Sequence, residues 1–268
     1  MRMSKRFLWG VGVLAVLSLA AGCATMTPSD QPPKKEVKPV PVLPTLSPEI
    51  LARIEATFVQ IPASVIPARY KDPQNRIRIP EMKVPAFMLS KYEVTQEDWV
   101  AVMGHNPSKE KDNPKLPVTN VSWLDAKRFI GRLNAAKGAN VFRLSTAAEW
   151  EAACRAGAMG RVPEQATESA LNQVAWWGKT SGNRTHPVGR LKPNAFGLYD
   201  MLGNVAEWCE TAYDEKAKDM ARVTAGSHFS TLTLVGQDCS TASYFIEDGR
   251  EPYTGFRLAK DGTPAQSK

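Results

Sequence analysis

Two acidic side chains in one short stretch have the types and the spacing to bind a hard metal ion. Asp200 and Glu207 stand seven residues apart and bracket a loop that contains a glycine, with aromatic residues on either side. Hard oxygen donors held in a rigid apolar frame are what a calcium ion needs. The stretch therefore suggests a calcium site. The alternative is that Asp200 caps a turn and Glu207 pairs with a lysine.

Histidines offer a second kind of metal ligand, but the three in this chain are far apart. His105, His186 and His228 show neither the His-x-His nor the His-x-x-x-His spacing that brings two imidazoles to one ion. A lone histidine is more often a hydrogen-bonded structural residue, and we weight that role above catalysis. The chain also has no Ser/His/Asp motif, no phosphate-binding glycine loop and no Cys-x-x-Cys motif.

Helix-capping patterns predict the elements that must position these residues. A Ser or Thr before an apolar run, an acidic residue three positions later and a glycine after the run mark the two ends of a helix. Beyond Gly157 the chain is rich in Gly, Pro and Asn, which predicts loops with short strands. The predicted helices run from Gln96 to Met103 after Thr95, from Ser122 to about Lys137 before Gly138, and from Thr146 to Gly157, and a short helix begins at Ser47-Pro48-Glu49.

The N-terminus has the pattern of a bacterial lipoprotein signal. Residues 1–22 combine a basic start with an apolar run that is too short for a comfortable membrane span. The run ends in Leu19-Ala20-Ala21-Gly22-Cys23, which resembles a lipobox with Cys23 as the lipid-bearing residue. The alternative is an ordinary signal peptide followed by an incidental cysteine. In a Gram-negative host, Ala24 after the cysteine favours the outer membrane, facing the periplasm.

Residues 23–48 have the composition of a tether between a lipid anchor and a folded domain. Prolines recur among Lys, Thr and Ser, and such a sequence cannot bury a core and favours extended conformations. The predicted domain follows over residues 49–260, which is long enough for a sizeable core. Residues 261–268 are polar and are predicted to form a flexible tail.

The charge of the chain argues against nucleic acid as a partner. The formal net charge is +7, and the loss of Arg2, Lys5 and Arg6 with the signal peptide would lower it to about +4. No run of Lys and Arg occurs in the predicted domain, and no nucleic-acid-binding motif is present. The expected contacts are therefore the membrane, through the lipid, and an envelope protein or other envelope ligand.

Several short motifs follow one another along the chain in a fixed order. Together they resemble the formylglycine-generating enzyme (sulfatase-modifying factor) family, and the resemblance extends from about Phe58 to Leu258. It implies an irregular, loop-rich α+β domain related to C-type lectins. The motifs are Lys91-Tyr92-Glu93-Val94-Thr95-Gln96 with Trp99, Val102-Met103-Gly104, Asn106-Pro107-Ser108, Leu116-Pro117-Val118, Val121-Ser122-Trp123 with Ala126, Arg143-Leu144-Ser145-Thr146, Glu149-Trp150-Glu151, the stretch from Asn194 to Trp208, and Gly255-Phe256-Arg257-Leu258.

The resemblance also implies which residues would hold calcium. Asp200 and Glu207 would supply side-chain oxygens, and Gly203 and Val205 would supply backbone carbonyls. The ion would be structural and would stabilise a domain that is rich in loops. A second calcium site found in some members is not expected, because residues 172–186 lack a clear acidic ligand.

Three cysteines remain once Cys23 is assigned to lipid. Members with cysteines at the positions of Cys154 and Cys239 join them in a disulfide, so the resemblance implies that bond here. An oxidising envelope compartment permits it. Cys209 is left over, and we interpret it as a buried hydrophobic residue with an inert thiol.

The catalytic centre of the family is not conserved in this sequence. Formylglycine-generating members bind copper(I) through two cysteine thiolates, and Ser230 and Val235 stand at the matching positions. Soft thiolates suit copper(I), whereas a serine hydroxyl and a valine side chain do not. We therefore expect no copper and no formylglycine-generating activity.

A groove left from the ancestral substrate site is the expected binding surface. Its possible residues are His228, Ser230 and Trp177, although for Trp177 we favour burial in the core. The favoured function is a non-catalytic binding or regulatory module for an envelope protein or other envelope ligand. The alternatives are a metal-dependent oxidase acting on a peptide without the copper cysteines, and a purely structural envelope component.

Overall fold

Four of the five helices lie between two runs of short strands in the computed structural model, which describes residues 46–70, 78–159, 167–212 and 221–262. The helices are α1 (Pro48–Glu55), α2 (Gln96–Met103), α3 (Trp123–Lys137), α4 (Ala147–Arg155) and α5 (Glu168–Leu171). The strands are β1 (Phe58–Ile61), β2 (Ser64–Ile66), β3 (Arg69–Tyr70), β4 (Arg78–Ile79), β5 (Met82–Val84), β6 (Phe87–Ser90), β7 (Phe142–Arg143), β8 (Ala175–Trp176), β9 (Leu202–Gly203), β10 (Ala206–Ala212), β11 (Ala221–Ala225), β12 (Ala242–Ile246), β13 (Thr254–Gly255) and β14 (Ala259–Asp261). This is the loop-rich α+β class that the sequence predicted.

Two four-stranded sheets carry most of the strand pairing. One has the order β1-β6-β14-β7 and is antiparallel throughout. The other has the order β12-β11-β10-β13, and in it β13 runs parallel to β10. Strand β10 carries Glu207, so the second sheet positions one of the two predicted acidic ligands. The parallel pair of β8 and β9 holds Gly203 beside Trp176.

The capping residues start the helices where the sequence predicted them. The Thr95 side chain accepts a hydrogen bond from the backbone of the third residue of α2. Ser122 and Asp125 form a reciprocal capping box at α3, and Thr146 and Glu149 form another at α4. Each box satisfies backbone N–H groups that the first helical turn leaves without a partner. The predicted short helix corresponds to α1.

The end of α4 differs slightly from the prediction. Ala156, rather than Gly157, is the first residue in the left-handed conformation, with a φ of 46°. Gly157 follows at a φ of 88°, so the reversal of the chain is shared between two residues. An alanine in this conformation is unfavourable, and the glycine beside it accepts the rest of the turn without a steric cost.

Two apolar clusters form the core. Trp99, Phe129 and Phe256 make mutual ring contacts with centroids 5.4–6.1 Å apart, and they centre one cluster between α2 and α3. Trp150 and Trp177 belong to the other cluster, which α4 shares with β2, β5 and β11. Each large aromatic side chain buries a large apolar area, and these rings therefore supply much of the core of a domain with little regular secondary structure.

Several predicted segments lie outside the described residues. These are the signal peptide over residues 1–22, the lipid site Cys23, the tether up to residue 45 and the tail from residue 263. Among the residues that the structure does describe, none of the helices is long and apolar enough to span a membrane.

Candidate functional site

A tight turn fixes the start of the stretch that contains the predicted calcium ligands. The Asn194 Oδ1 atom accepts hydrogen bonds from the backbone N–H groups of Phe196 and Leu198, at 3.0 and 3.2 Å. Its Nδ2 atom donates to the carbonyl of Ala153 in α4 at 2.8 Å. Asparagine side chains that bond to nearby backbone in this way stabilise turns. The loop that leads to Asp200 is therefore held against α4 at a defined position.

Asp200 is buried and uses only one of its two oxygens. It is 3% exposed and adopts a left-handed conformation with a φ of 57°. Its Oδ2 atom accepts a hydrogen bond from the Gly189 N–H at 2.7 Å, while Oδ1 has no partner among the described residues. Burial raises the pKa of Asp200 to about 6, because desolvation disfavours the charged carboxylate. One oxygen therefore caps a turn, and the other is left for a further ligand.

Glu207 is neutralised by an arginine rather than by a lysine. Its Oε1 atom accepts a hydrogen bond from Arg257 Nη2 at 2.6 Å. Its Oε2 atom accepts two, from Arg257 Nε and from Trp150 Nε1, both at 2.7 Å. Both members of the ion pair are 1% exposed. The paired geometry of a guanidinium and a carboxylate makes this a strong, oriented contact.

The sequence reasoning missed a third buried carboxylate, that of Glu93. Glu93 is 2% exposed and accepts hydrogen bonds from Asn204 Nδ2 at 2.8 Å and from the Val205 N–H at 3.3 Å. Burial, followed by the nearby charges of Asp200 and Glu207, raises its pKa well above the ordinary value. Its place in the Lys91–Gln96 motif was the available signal, but nothing in that motif indicated a partner more than a hundred residues away.

The three carboxylates and Arg257 allow a test of whether a cation fits. Three carboxyl groups face one guanidinium, and since burial raises the pKa of Glu93 and of Asp200, a bound divalent cation would favour their ionised forms. A cavity of about 20 Å³, which is room for one water molecule or ion, adjoins Asp200, but none of the other predicted ligands lines it. The unpartnered Oδ1 of Asp200 fits a cation ligand. Glu207 can be a ligand only if it binds the ion while it keeps its hydrogen bonds from Arg257 and Trp150. An ionised carboxylate has enough lone pairs for the ion and for these donors.

The described residues hold no group of three or more His, Cys, Asp or Glu side chains arranged around a metal ion. A site at this cluster would therefore depend on backbone carbonyls, which is the arrangement expected at Gly203 and Val205. Gly203 suits a close approach of backbone, because its φ is 77° and a Cβ atom there would lie 2.2 Å from the Trp176 carbonyl oxygen. The calcium site stays a prediction.

The two positions that match the copper ligands have different environments. The Ser230 hydroxyl lies 2.9 Å from His228 Nδ1, and the imidazole stacks on the Tyr253 ring at 4.4 Å. Burial lowers the pKa of His228, so the ring is neutral near pH 7 and can accept the serine proton in a hydrogen bond. Val235 is 81% exposed and supplies no donor. A neutral hydroxyl is a harder ligand than a thiolate and suits copper(I) poorly, and one imidazole does not replace a pair of thiolates.

The other two histidines have structural roles, as the sequence suggested. His186 Nε2 donates to the Ser181 carbonyl at 2.7 Å, and its ring stacks on Trp176 at 3.8 Å. His105 Nδ1 lies 3.1 Å from the Met103 carbonyl. Each of the three histidine rings has different neighbours, so the structure does not bring them together.

Trp177, a possible groove residue, lies in the core, as the favoured interpretation of the sequence had it. Trp177 is completely buried, and its Nε1 atom donates to Asn172 Oδ1 at 2.9 Å. It belongs to the core cluster around Trp150 and cannot line an open surface. The role that the structure contradicts is the less favoured one, a place in the groove. His228 and Ser230 are each half-buried and remain at the surface.

The cysteines divide as the family resemblance implied. Cys154 and Cys239 form a disulfide with their Cα atoms 5.6 Å apart. It ties α4 to the segment before β12, across 85 residues of sequence. Cys209 is free and completely buried, and burial raises the pKa of its thiol. A protonated thiol without access to solvent is inert.

These features define a domain of the formylglycine-generating-enzyme type in which the two thiolates of the catalytic centre are replaced. The chain matches the Sulfatase-modifying factor enzyme 1-like domain over residues 54–262, and it belongs to that family. Among solved structures it is similar to Treponema denticola variable protein 1, with a TM-score of 0.68 and 26% identity over 76% of this chain and 95% of that one.

Curated relatives differ in what their names say. The chain is 28% identical to "Chaperone protein LppX" of Paenibacillus barcinonensis, over 65% of this chain and 80% of that protein. It is 31% identical to the formylglycine-generating enzyme of Thermomonospora curvata, over 61% of this chain and 64% of that enzyme. It is 34% identical to inactive C-alpha-formylglycine-generating enzyme 2 of Mus musculus, over 45% of this chain and 40% of that protein. The chain thus spans less than two thirds of the last two relatives.

Proposed function

We propose that this protein is a non-catalytic binding module of the bacterial envelope and that its partner is a polypeptide. The observation that carries the proposal is the replacement of both copper thiolates, by Ser230 and Val235. Oxidation of a cysteine to formylglycine needs a centre that activates oxygen, and soft thiolates on copper(I) provide it in the family. The ligands that remain here do not favour that ion.

The other cysteines of the chain do not substitute for the missing pair. Cys154 and Cys239 are joined to each other, Cys209 is buried, and Cys23 stands far away in the sequence, at the proposed lipid site. The frame around the old centre is nevertheless intact, including the capped helices and the Asp200–Glu207 loop. A rigid frame that has lost its reactive groups is suited to recognition.

Two relatives support the choice of a polypeptide as the partner. One carries the name chaperone, and another is named an inactive formylglycine-generating enzyme. A chaperone acts on protein chains, and the inactive relative indicates that the domain can be retained without the chemistry. Both names are properties of those proteins, and their transfer to this chain is part of the proposal.

The absence of catalysis is tested with the reaction that defines the family. Purified protein is incubated with copper(I), oxygen and a Cys-x-Pro-x-Arg peptide, and the mass of the peptide is measured. We expect no loss of mass from the cysteine, while an active family member run in parallel converts the same peptide. Turnover by this protein would refute the proposal and would favour an oxidase.

The site of action is proposed to be the periplasmic face of the outer membrane, through a lipid on Cys23. Labelled palmitate should enter the wild-type protein, and Cys23→Ala should leave it unprocessed or soluble. Fractionation on a density gradient then separates the inner from the outer membrane. Absence of label in the wild type would remove the anchor from the proposal.

Calcium is proposed as a structural ion held by Asp200, Gly203, Val205 and Glu207. When bound, it would offset the excess negative charge of the buried carboxylates and stabilise the loop before β10.

The partner itself is sought by crosslinking the tethered protein in its native envelope and identifying the proteins that are captured. A matched capture with Cys23→Ala protein controls for contacts made only after cell breakage.

A further inference from the structure

An apolar groove lies between helix α4 and the strands β11 and β12. Its cavity measures about 280 Å³. The residues that make it apolar are Met82, Ala147, Ala148, Val223, Ala225 and Ala242. Helix α4 forms one wall with Ala147, Ala148 and Glu151, and the two alanines leave space between the helix and the sheet among the described residues.

The strand register extends the groove along β12. Val223 pairs with Tyr244, and Ala221 pairs with Ile246. Paired residues of neighbouring strands point to the same face of a sheet, so Tyr244 and Ile246 continue the face that carries Val223. Their exposed fractions are 50% and 63%. Large apolar side chains that continue a groove into solvent mark a surface for association.

Strand β12 also has an unusual composition for its position. It stands at the end of the β12-β11-β10-β13 order in the described part of the chain. The Gly226 N–H donates to the Thr241 carbonyl, so in this register the backbone groups of Ala242 and Ile246 point away from β11. The Ile246 carbonyl already accepts a hydrogen bond from the Gly249 N–H at 2.9 Å, so an added strand would pair mainly with the earlier part of β12. Edge strands are normally protected by charges, prolines or bulges. The sequence Ala-Ser-Tyr-Phe-Ile of residues 242–246 contains no charge, proline or glycine.

Acidic residues stand at both ends of β12. Asp238 Oδ1 accepts hydrogen bonds from the N–H and hydroxyl of Ser240, which itself lines the groove. Glu247 and Asp248 follow the other end. Residues 237–251 hold four acidic side chains and one basic one, in a chain whose net charge is +7. Because a strand rises about 3.3 Å per residue, the two acidic ends lie roughly 15–20 Å apart.

We propose that this groove binds an extended polypeptide segment in which apolar residues alternate and basic residues stand at both ends. The segment would lie along β12 as an added strand, a known mode of peptide recognition. Its apolar side chains would enter the groove and contact Ile246, and its lysines or arginines would face Asp238 and Asp248. The inference rests on the proposed function, because it names the class of polypeptide that the module recognises and the place where it binds.

The test uses the full chain and a synthetic, fluorescently labelled peptide. In this peptide valine alternates with threonine, and lysines stand at both ends. Two comparison peptides carry glutamates at the ends or a proline at the centre. Binding is followed by fluorescence anisotropy at low and high salt, because contacts between exposed charges are screened by salt. We expect the lysine peptide to bind best and its affinity to fall as salt rises.

Variants of the protein locate the binding site. Ala148→Glu should fill the groove while keeping good helix propensity, and Ile246→Lys should remove an apolar contact and reverse the local charge. Each substitution should lower the affinity for the lysine peptide by about tenfold or more. Val100→Glu is the matched control, because Val100 is 40% exposed on α2 and does not line the groove. Circular dichroism and melting curves confirm that every variant is folded.

The outcomes separate this inference from the proposed function. The inference is overturned if the lysine peptide binds the wild type and both groove variants with equal affinity. It is also overturned if the wild type does not prefer the peptide with lysine ends over the one with glutamate ends. A wild-type protein that binds none of the peptides, or one that dimerises through Ile246 in sedimentation, overturns it as well. In each of these cases, capture of an envelope protein that still binds Ile246→Lys leaves the proposed function standing. Turnover of the Cys-x-Pro-x-Arg peptide overturns the proposed function instead.

Discussion

Removal of the Arg257 guanidinium should destabilise the domain more than the loss of any exposed ion pair. Arg257 is 1% exposed and holds Glu207 with two hydrogen bonds. It also donates to the carbonyls of Ser90, Lys91 and Tyr199 at 3.0–3.3 Å. Methionine in its place has a similar length but no charge and no donor. The variant would leave three buried carboxylates without a cation and three carbonyls without this donor.

The expected cost follows from the burial of the pair. Removing one member of a buried ion pair typically costs about 3–5 kcal/mol, because the other charge stays buried without compensation. Trp150 still donates to Glu207, which argues for the lower part of that range. For a domain of this size, each kcal/mol of lost stability lowers the melting temperature by about 2–4 °C. We therefore expect a cost of about 3–4 kcal/mol and a melting temperature for Arg257→Met roughly 6–16 °C below that of the wild type.

The assay is urea unfolding at pH 7 in the presence of a chelator, followed by circular dichroism and tryptophan fluorescence. Lys115→Met is the control, since the pair of Lys115 with Glu97 is largely exposed on the lysine side and such pairs contribute at most about 1 kcal/mol. The double variant Glu207→Gln with Arg257→Met should recover part of the loss. A cost below about 1 kcal/mol for Arg257→Met would refute the assignment of Arg257 as the cation that stabilises this cluster.

Three further predictions concern calcium, the disulfide and pH. If Asp200 holds calcium, a chelator should lower the melting temperature of the wild type and leave that of Asp200→Ala unchanged. Calcium at about a hundred times its dissociation constant should stabilise the wild type by about 2.7 kcal/mol. A wild-type melting curve that changes with neither chelator nor added calcium contradicts the site. Reduction of Cys154–Cys239, which closes a loop over 85 residues, should cost about 4–5 kcal/mol on the chain-entropy account, and peptide mapping without reductant should show Cys209 free. The folded-state pKa of Asp200 is raised to about 6, so its contribution to stability is present below about pH 4 and is lost as the pH rises through 6. With chelator present, Asp200→Asn should therefore gain stability relative to the wild type over that interval, and a difference that does not vary with pH argues against a titrating Asp200.

Local signals were sufficient for α1 to α4, whereas α5 (Glu168–Leu171) lies in the part of the chain that was predicted to form loops and short strands. The capping box of Ser122 with Asp125 involves residues three positions apart, and so does that of Thr146 with Glu149. The hydrogen bonds that start and end a helix form within one turn of the chain, so residue types at fixed offsets reveal them. The disulfide was inferred from the family resemblance, since no short-range pattern connects Cys154 to Cys239.

The acidic cluster shows where local signals end. Asp200 and Glu207 were recognised because they share one stretch of sequence, but Glu93 and Arg257 come from distant segments and reach them only in the folded chain. The partner of Glu207 was expected to be a calcium ion or a lysine. Whether a carboxylate faces an ion, a guanidinium or water depends on side chains that the fold brings together from distant segments. The spacing of residues in the sequence does not predict these contacts.

The sequence by itself determined the family, the α+β class, the helix starts and the replacement of the copper thiolates by Ser230 and Val235. These follow from residue types at particular positions, and such information is present before the chain folds. Only the tertiary structure decided that Trp177 is buried, that Arg257 neutralises Glu207, and that α4 leaves an apolar groove beside β12. Burial, ion pairing and the shape of a groove are properties of packed segments, because each depends on which distant side chains exclude water from the same volume.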